Sequence, residues 1–131
     1  MEGALPVRER GKGMKSTSGI LGEVEAARLA RRKGYQILRS NFACRYGELD
    51  LVVADGDTLV VMEVKTRLQN ALYTPAEAVT RQKQERIKLA TNVFLAAQQL
   101  DDVQVRFDVV EVIVDEAFEV VSVNHLKDAF R

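Results

Sequence analysis

One stretch constrains the fold more than any other. Residues 48–65 run from Glu48 to Lys65 as two segments rich in Val and Leu, with Asp55-Gly56-Asp57 between them. That triplet is a turn signal, so the stretch reads as a β-hairpin with strands over 46–54 and 58–64. A two-residue turn at Gly56-Asp57 places residues i and j opposite each other when i + j = 113, pairing Asp50 with Glu63 and Glu48 with Lys65. Side chains two apart share a strand face, so these four point one way. Leu49, Leu51, Val53, Met62 and Val64 then point the other way and supply core. Opposed Cβ atoms lie about 4.5–5.5 Å apart, and like charges at that distance repel. Three arrangements relieve the repulsion. A shared proton raises one pKa. A divalent cation binds both oxygens. A surface ladder of ion pairs draws in Glu48 and Lys65.

The remaining elements assemble around this hairpin. Residues 18–33 read as a helix, with Thr17 or Ser18 as cap and Gly34 at C′. Ile20, Val24, Ala27 and Ala30 form its expected buried stripe, and Glu23 falls on that stripe as an anomaly. Residues 35–42 read as a strand, and 66–73 as an irregular connection. Thr74-Pro75-Ala76-Glu77 is a capping box that opens a long helix to about Gln99, with Val79, Lys83, Ile87, Ala90 and Phe94 along one stripe. Residues 103–114 and 118–123 read as strands, and 125–131 as a short terminal turn. The order is α-β-β-β-α-β-β. The second helix is long enough for a crossover, so the strands on either side of it can run parallel. The expected fold is α/β, a mixed central sheet of about five strands flanked by helices.

The chain has 131 residues, the size of one domain. Residues 1–17 read as a flexible basic arm with Pro6, Gly11 and Gly13, and 18–131 as a single domain. Apolar runs reach five residues, at Val93–Ala97, against about 20 for a bilayer span, so no membrane association is expected. The N-terminus lacks an apolar signal region and Cys44 is the single cysteine, which together fit a cytoplasmic protein. Lys and Arg number 19 and Asp and Glu 19, yet residues 1–45 hold ten basic and four acidic residues, so a basic and an acidic face are expected. No Gly-rich phosphate loop is present, so no nucleotide cofactor is expected. His125 is the single histidine and lies near the chain end, where it serves a nucleophile triad poorly and suits a structural hydrogen bond. Arg106 and Asp108 share a strand face and read as a structural pair.

Asp50, a gap of twelve residues and then Glu63-Val64-Lys65 form a D-x(n)-E-x-K pattern. It resembles the PD-(D/E)XK nuclease superfamily, with Leu49 in place of the Pro, a common departure there. The wider text is more specific: Gly22-Glu23, Gly34-Tyr35, Gly47-Glu48-Leu49-Asp50-Leu51, Glu63-Val64-Lys65-Thr66-Arg67, Lys83 and Arg106-Phe107-Asp108 occur in this order. Residues 19–131 thereby resemble the YraN-type family of small bacterial proteins, which is similar to archaeal Holliday-junction resolvases. The resemblance implies a restriction-endonuclease-like fold. It also implies a nuclease that hydrolyses DNA phosphodiester bonds with Mg²⁺ or Mn²⁺, acting on branched or flapped DNA. Asp50, Glu63 and the Val64 carbonyl would be metal ligands, with Glu23 completing the set. Lys65 would orient the attacking water or neutralise charge on the phosphate. Lys83 would face the site from the second helix.

Glu48 reads as a partner of Lys65, and Arg67, Arg81 and Arg86 as phosphate contacts or solvated charge. Core and edge packing suits Tyr46 better than base stacking. Cutting a junction on two strands symmetrically fits a homodimer. The alternative is a catalytically weak nucleic-acid-binding accessory protein of a repair, recombination or uptake complex, which the zero net charge favours.

Overall fold

The computed structural model describes residues 17–70 and 79–131. Its elements are α1 (Thr17–Arg32), β1 (Gln36–Cys44), β2 (Gly47–Asp55), β3 (Thr58–Leu68), α2 (Arg81–Ala97), β4 (Gln104–Val114) and β5 (Val120–Phe130). The five strands form one sheet in the order β1-β2-β3-β4-β5. β3 and β4 run parallel, joined through α2, and the other neighbours are antiparallel. The expected α-β-β-β-α-β-β order therefore holds. Residues 1–16 of the expected arm and the capping box at 74–77 lie outside the described residues.

The hairpin has the expected register. Leu51↔Met62 through Asp55↔Thr58 all sum to 113. Gly56 takes a φ of +60° in the turn, a left-handed conformation that a side chain would strain. Gly34, with φ +80°, ends α1, and the Tyr35 N–H donates back to the Ala30 carbonyl at 2.9 Å.

Each face of the sheet carries one helix and one core. On the first face Ala26, Leu29 and Ala30 of α1 cover Leu51, Val53, Val60, Met62, Val110 and Val112. On the second, Ile87, Ala90 and Phe94 of α2 cover Phe42, Leu49, Val52, Val61 and Val109, and the Phe42 and Phe94 rings meet edge-on at 5.3 Å. Burial on both faces explains the near-continuous apolar runs of β2, β3 and β4.

Four expectations are corrected. The buried stripe of α1 is Gly22, Ala26, Leu29 and Ala30, while Ile20 and Val24 face solvent. At Gly22 the helix lies too close to β3 for a side chain. A Cβ on Gly22 would sit 2.2 Å from Thr66 Oγ1. Second, β3 continues to Leu68 and pairs with β4 as far as Leu68↔Val114, so the irregular connection begins later than residue 66. Third, α2 starts at Arg81 with Thr80 as its cap, its hydroxyl accepting the Lys83 N–H at 3.2 Å, so Val79 precedes the helix. Fourth, β5 runs to Phe130 with no terminal turn over 125–131. Its polar residues belong to an edge strand, and two of them satisfy a buried acid. The Asp108 carboxylate is bonded to His125 Nε2 at 2.7 Å and accepts the Asp128 N–H at 2.9 Å. Arg106 donates to the same carboxylate at 2.9 and 3.0 Å and to Asp55 at 2.9 Å, and Lys33 Nζ meets His125 Nδ1 at 2.9 Å. Arg106, Asp108 and His125 are thus structural, as their positions suggest.

Candidate active site

The hairpin ladder ends at Leu51↔Met62, one pair short of Asp50 and Glu63. The expected pairing of these acids as ladder partners therefore gives way to a different arrangement. The Asp50 carboxylate turns onto β3 and accepts the Val64 N–H at 2.8 Å. The face alternation of β2 also breaks here. Leu49 packs with the α2-side core, whereas Leu51 two residues on packs with the α1-side core. This corrects the expectation that Leu49 shares a face with Leu51.

Glu63 is buried, at 3% exposure. Its Oε2 receives Lys83 Nζ at 2.7 Å and Lys65 Nζ at 3.6 Å. Lys65 comes from its own strand and Lys83 from the first turn of α2, so β3 and α2 meet on one oxygen. Asp50 lines the same cleft as Lys65, and its charge favours the ammonium form of both lysines. The two lysines differ. Burial pushes Lys65 below its ordinary value, and the contact with Lys83 adds to the fall. Burial opposes the charge on Lys83 too, but Glu63 outweighs it and holds that ammonium above its ordinary value.

A cleft of about 220 Å³ opens on the α1 side, where Glu23, Asp50, Val64, Lys65 and Arg67 share a wall with Ser18 and Gly19. Gly22 and Thr66 set this wall. Thr66 Oγ1 donates to the Ser18 carbonyl at 3.0 Å while Gly22 rests on the same side chain. Glu23, the next residue, is thereby carried to the cleft. It stands at the edge of the corrected stripe, so its apparent anomaly on an apolar face disappears while its place near Asp50 remains.

The structure thus brings Asp50, Glu63, Val64, Lys65 and Lys83 together, with Glu23 and Arg67 in the adjoining cleft. Glu48 is exposed and Arg86 lies beside Lys83, both lining a second cleft on the α2 side. Arg81 is exposed at the start of α2. Sequence reasoning passed over Glu111, a buried carboxylate that stands beside Lys65 in the β3–β4 register and accepts the Asn124 amide at 3.0 Å. Its signal is a lone acid within the apolar run of β4. Gly22 had a signal too, since glycine within a helix costs about 1 kcal/mol against alanine and marks close approach.

The donor set suits a hard cation. Asp50, Glu63, Glu23 and the Val64 carbonyl offer oxygen alone, and Mg²⁺ is usually held by one or two carboxylates plus water and phosphate oxygens. Among the described residues, no three His, Cys, Asp or Glu side chains are grouped to hold an ion by themselves. The described residues therefore form no all-protein cage for an ion.

A family model described as uncharacterised protein family UPF0102 matches residues 22–112. The chain belongs to the UPF0102 family. The match spans Glu23, Asp50, Glu63, Lys65 and Lys83. A UPF0102 protein of Nocardia farcinica is 44% identical over 118 residues, covering 90% of this chain and 92% of the relative. A UPF0102 protein of Caldicellulosiruptor saccharolyticus is 39% identical over 116 residues, covering 88% and 98%. One of Geotalea daltonii is 39% identical over 124 residues, covering 95% and 97%. Among the described residues, no helix is long and apolar enough to cross a membrane.

Proposed function

We propose that this UPF0102 protein is a Mg²⁺- or Mn²⁺-dependent nuclease that hydrolyses DNA phosphodiester bonds, with branched or flapped DNA as substrate. One observation carries the reading. Two acids from adjoining strands, Asp50 and Glu63, converge with two lysines, and Glu63 is buried although charged. Burying that charge costs stability, and a role in binding or chemistry accounts for its being kept there.

Asp50, Glu63 and the Val64 carbonyl would hold the ion, with Glu23 beside them. Bound there, the ion supplies Lewis acidity, making a water more acidic and stabilising charge on the leaving oxygen. The protein's own groups do the rest. Asp50 is fixed by the Val64 N–H, which holds its carboxylate in place. Lys65 orients the attacking water and offsets charge gathering on the phosphate. Lys83 neutralises Glu63 from the α2 side while the site is empty of substrate and turns to the phosphate when one enters. Arg67, in the α1-side cleft, takes a flanking phosphate.

The test is cleavage of linear, nicked, flap and four-way DNA in Mg²⁺ and in Mn²⁺. Asp50→Asn, Glu63→Gln and Lys65→Ala should each lower the rate by about a hundredfold or more, in the range of losing one electrostatic catalytic group. Cleavage that survives all three substitutions places the activity elsewhere.

The reading as an accessory nucleic-acid-binding protein keeps one specific support: both ammonium groups already occupy the same Glu63 oxygen. It predicts DNA binding with neither cleavage nor uptake of Mn²⁺ by calorimetry.

A further inference from the structure

On the α2 side of the acids, the turn between β1 and β2 and the first turns of α2 enclose a cleft of about 770 Å³. Arg45, Tyr46, Glu48, Lys83 and Arg86 are among its lining residues. Lys83 joins it to the site, since the same side chain bonds Glu63 at 2.7 Å. These residues are three cations against one acid, on a protein whose formal net charge is zero. With Lys83 paired to Glu63, Arg45 and Arg86 are the cations this cleft offers to a phosphate.

The cleft also holds a preassembled planar pair. The Arg45 guanidinium lies 4.9 Å from the centroid of the Tyr46 ring, and it donates to the Tyr46 hydroxyl at 2.8 Å. Tyr46 is half-buried against the α2-side core, which fixes its ring, while Arg45 is exposed. Cations that track phosphates, together with planar groups on which bases stack, are the two elements of single-strand recognition. A duplex keeps its base faces inside its own stack and has none to lay against this ring and guanidinium. An unpaired strand can.

We propose that this cleft binds an unpaired nucleic-acid strand, seating a base on the Arg45–Tyr46 pair and phosphates on Arg45 and Arg86, and leading the strand to the acids past Lys83. The proposal deepens the nuclease reading and rests on it for the strand's destination. It also gives the substrate a defined feature, a single-stranded segment next to the scissile bond.

The test is fluorescence anisotropy of the full chain with a labelled oligothymidylate of about 12 nucleotides, within the usual span of single-strand sites. A hairpin duplex serves as competitor, and EDTA prevents cleavage. The oligothymidylate should bind more tightly than the duplex. Tyr46→Ala should weaken binding about tenfold while Tyr46→Phe retains it, because the ring does the stacking. Arg45→Ala and Arg86→Ala should each weaken binding and lower the slope of log K against log salt by about 0.7, the value for one phosphate contact on a single strand. Arg28→Ala, on the outer side of α1, should change neither. Because Arg45 and Arg86 are exposed, their variants carry the test even where Tyr46→Ala fails to fold. Binding within twofold of the wild type in the two arginine variants overturns the proposal, as does equal affinity for duplex. Cleavage by a protein whose cleft variants bind normally removes the cleft and leaves the nuclease reading. Weakened binding in those variants, with no cleavage by the wild type in Mn²⁺, removes the nuclease reading and leaves the cleft.

Discussion

Replacing Gly22 with alanine separates helix propensity from packing. In an isolated helix the change is favourable by about 1 kcal/mol. Here the new Cβ would meet Thr66 Oγ1 at 2.2 Å and Val64 Cγ1 at 3.2 Å. Thr66 can rotate away, but only by giving up its 3.0 Å hydrogen bond to the Ser18 carbonyl, which costs about 1 kcal/mol. The contact with Val64 remains and forces α1 outward, and overpacking of this kind costs about 1–3 kcal/mol. Set against the propensity gain, the net is a destabilisation of about 2 kcal/mol. For a domain of this size that lowers Tm by roughly 6–10 °C. The same shift withdraws Glu23, Ser18 and Gly19 from the wall they share with Asp50.

The assay is a double-mutant cycle with Thr66→Ala, read by urea denaturation. Without the hydroxyl, the nearest Thr66 atom is Cβ, at 3.6 Å, an ordinary contact. Gly22→Ala should therefore cost at least about 1 kcal/mol less in the Thr66→Ala background than in the wild type, a coupling typical of residues in contact. A Gly22→Ala protein more stable than the wild type would refute the reasoning, and so would an equal cost in both backgrounds.

Two further outcomes follow from carboxylates that accept backbone N–H groups, Asp108 and Asp50. Burial opposes the charge of Asp108, but Arg106 outweighs it, with the Asp128 N–H and His125 adding, so its carboxyl is held below its ordinary value of 3.8. A folded-state pKa below the unfolded one contributes stability that is complete above about pH 4 and lost as pH falls through the folded value. Asp108→Asn should cost about 3 kcal/mol at neutral pH, because it leaves the part-buried Arg106 with Asp55 as its remaining anion, and should flatten the decline of stability below pH 4; acid titration of the urea midpoint reads both. At the site, Asp50→Asn keeps an oxygen for the Val64 N–H, whereas Asp50→Ala strands that donor at a cost of about 1–3 kcal/mol. The alanine variant should therefore melt several degrees below the asparagine variant by circular dichroism, and equal melting would show that the hydrogen bond contributes nothing.

The sheet was legible where side-chain chemistry and period agree. The Gly56-Asp57 turn and the Val-rich runs beside it fix the register sum of 113, and the structure keeps it from Leu51↔Met62 to Asp55↔Thr58. The α1 stripe was not legible, because apolar character points to Ile20 and Val24 while the sheet selects for smallness. Gly22, Ala26 and Ala30 carry little apolar area, and at Gly22 a side chain has no room beside Thr66 and Val64. The far half of β5 was hidden for a related reason. His125 is polar because Asp108 needs a partner, while Asp128 gives Asp108 its backbone N–H and its side chain to Arg131, and a polar stretch without alternation resembles a turn. For the site, residue types and spacing pointed to Asp50, Glu63 and Lys65. They could not show that β2 leaves the ladder at Asp50, since that departure depends on a hydrogen bond from side chain to backbone across the strands.

The same contrast in residue size gives the site one tight wall and one open wall. α1 presents Gly22, Ala26 and Ala30 and lies against β3, which leaves a cleft of about 220 Å³ beside Asp50. α2 presents Ile87 and Phe94, whose bulk stands on Phe42, and the space between its first turns and the β1–β2 turn is about 770 Å³. Glu63 and Lys65 lie between them on β3, with Lys83 reaching across from α2. On the nuclease reading the tight wall suits a small ligand set that must be held rigidly, because a loosely placed acid loses most of its effect. The open wall suits a polymer that enters and leaves. A substitution that enlarges α1's buried face therefore acts on the acids, and one in the α2-side cleft acts on the substrate, although both lie within a few residues of Glu63 in the folded chain.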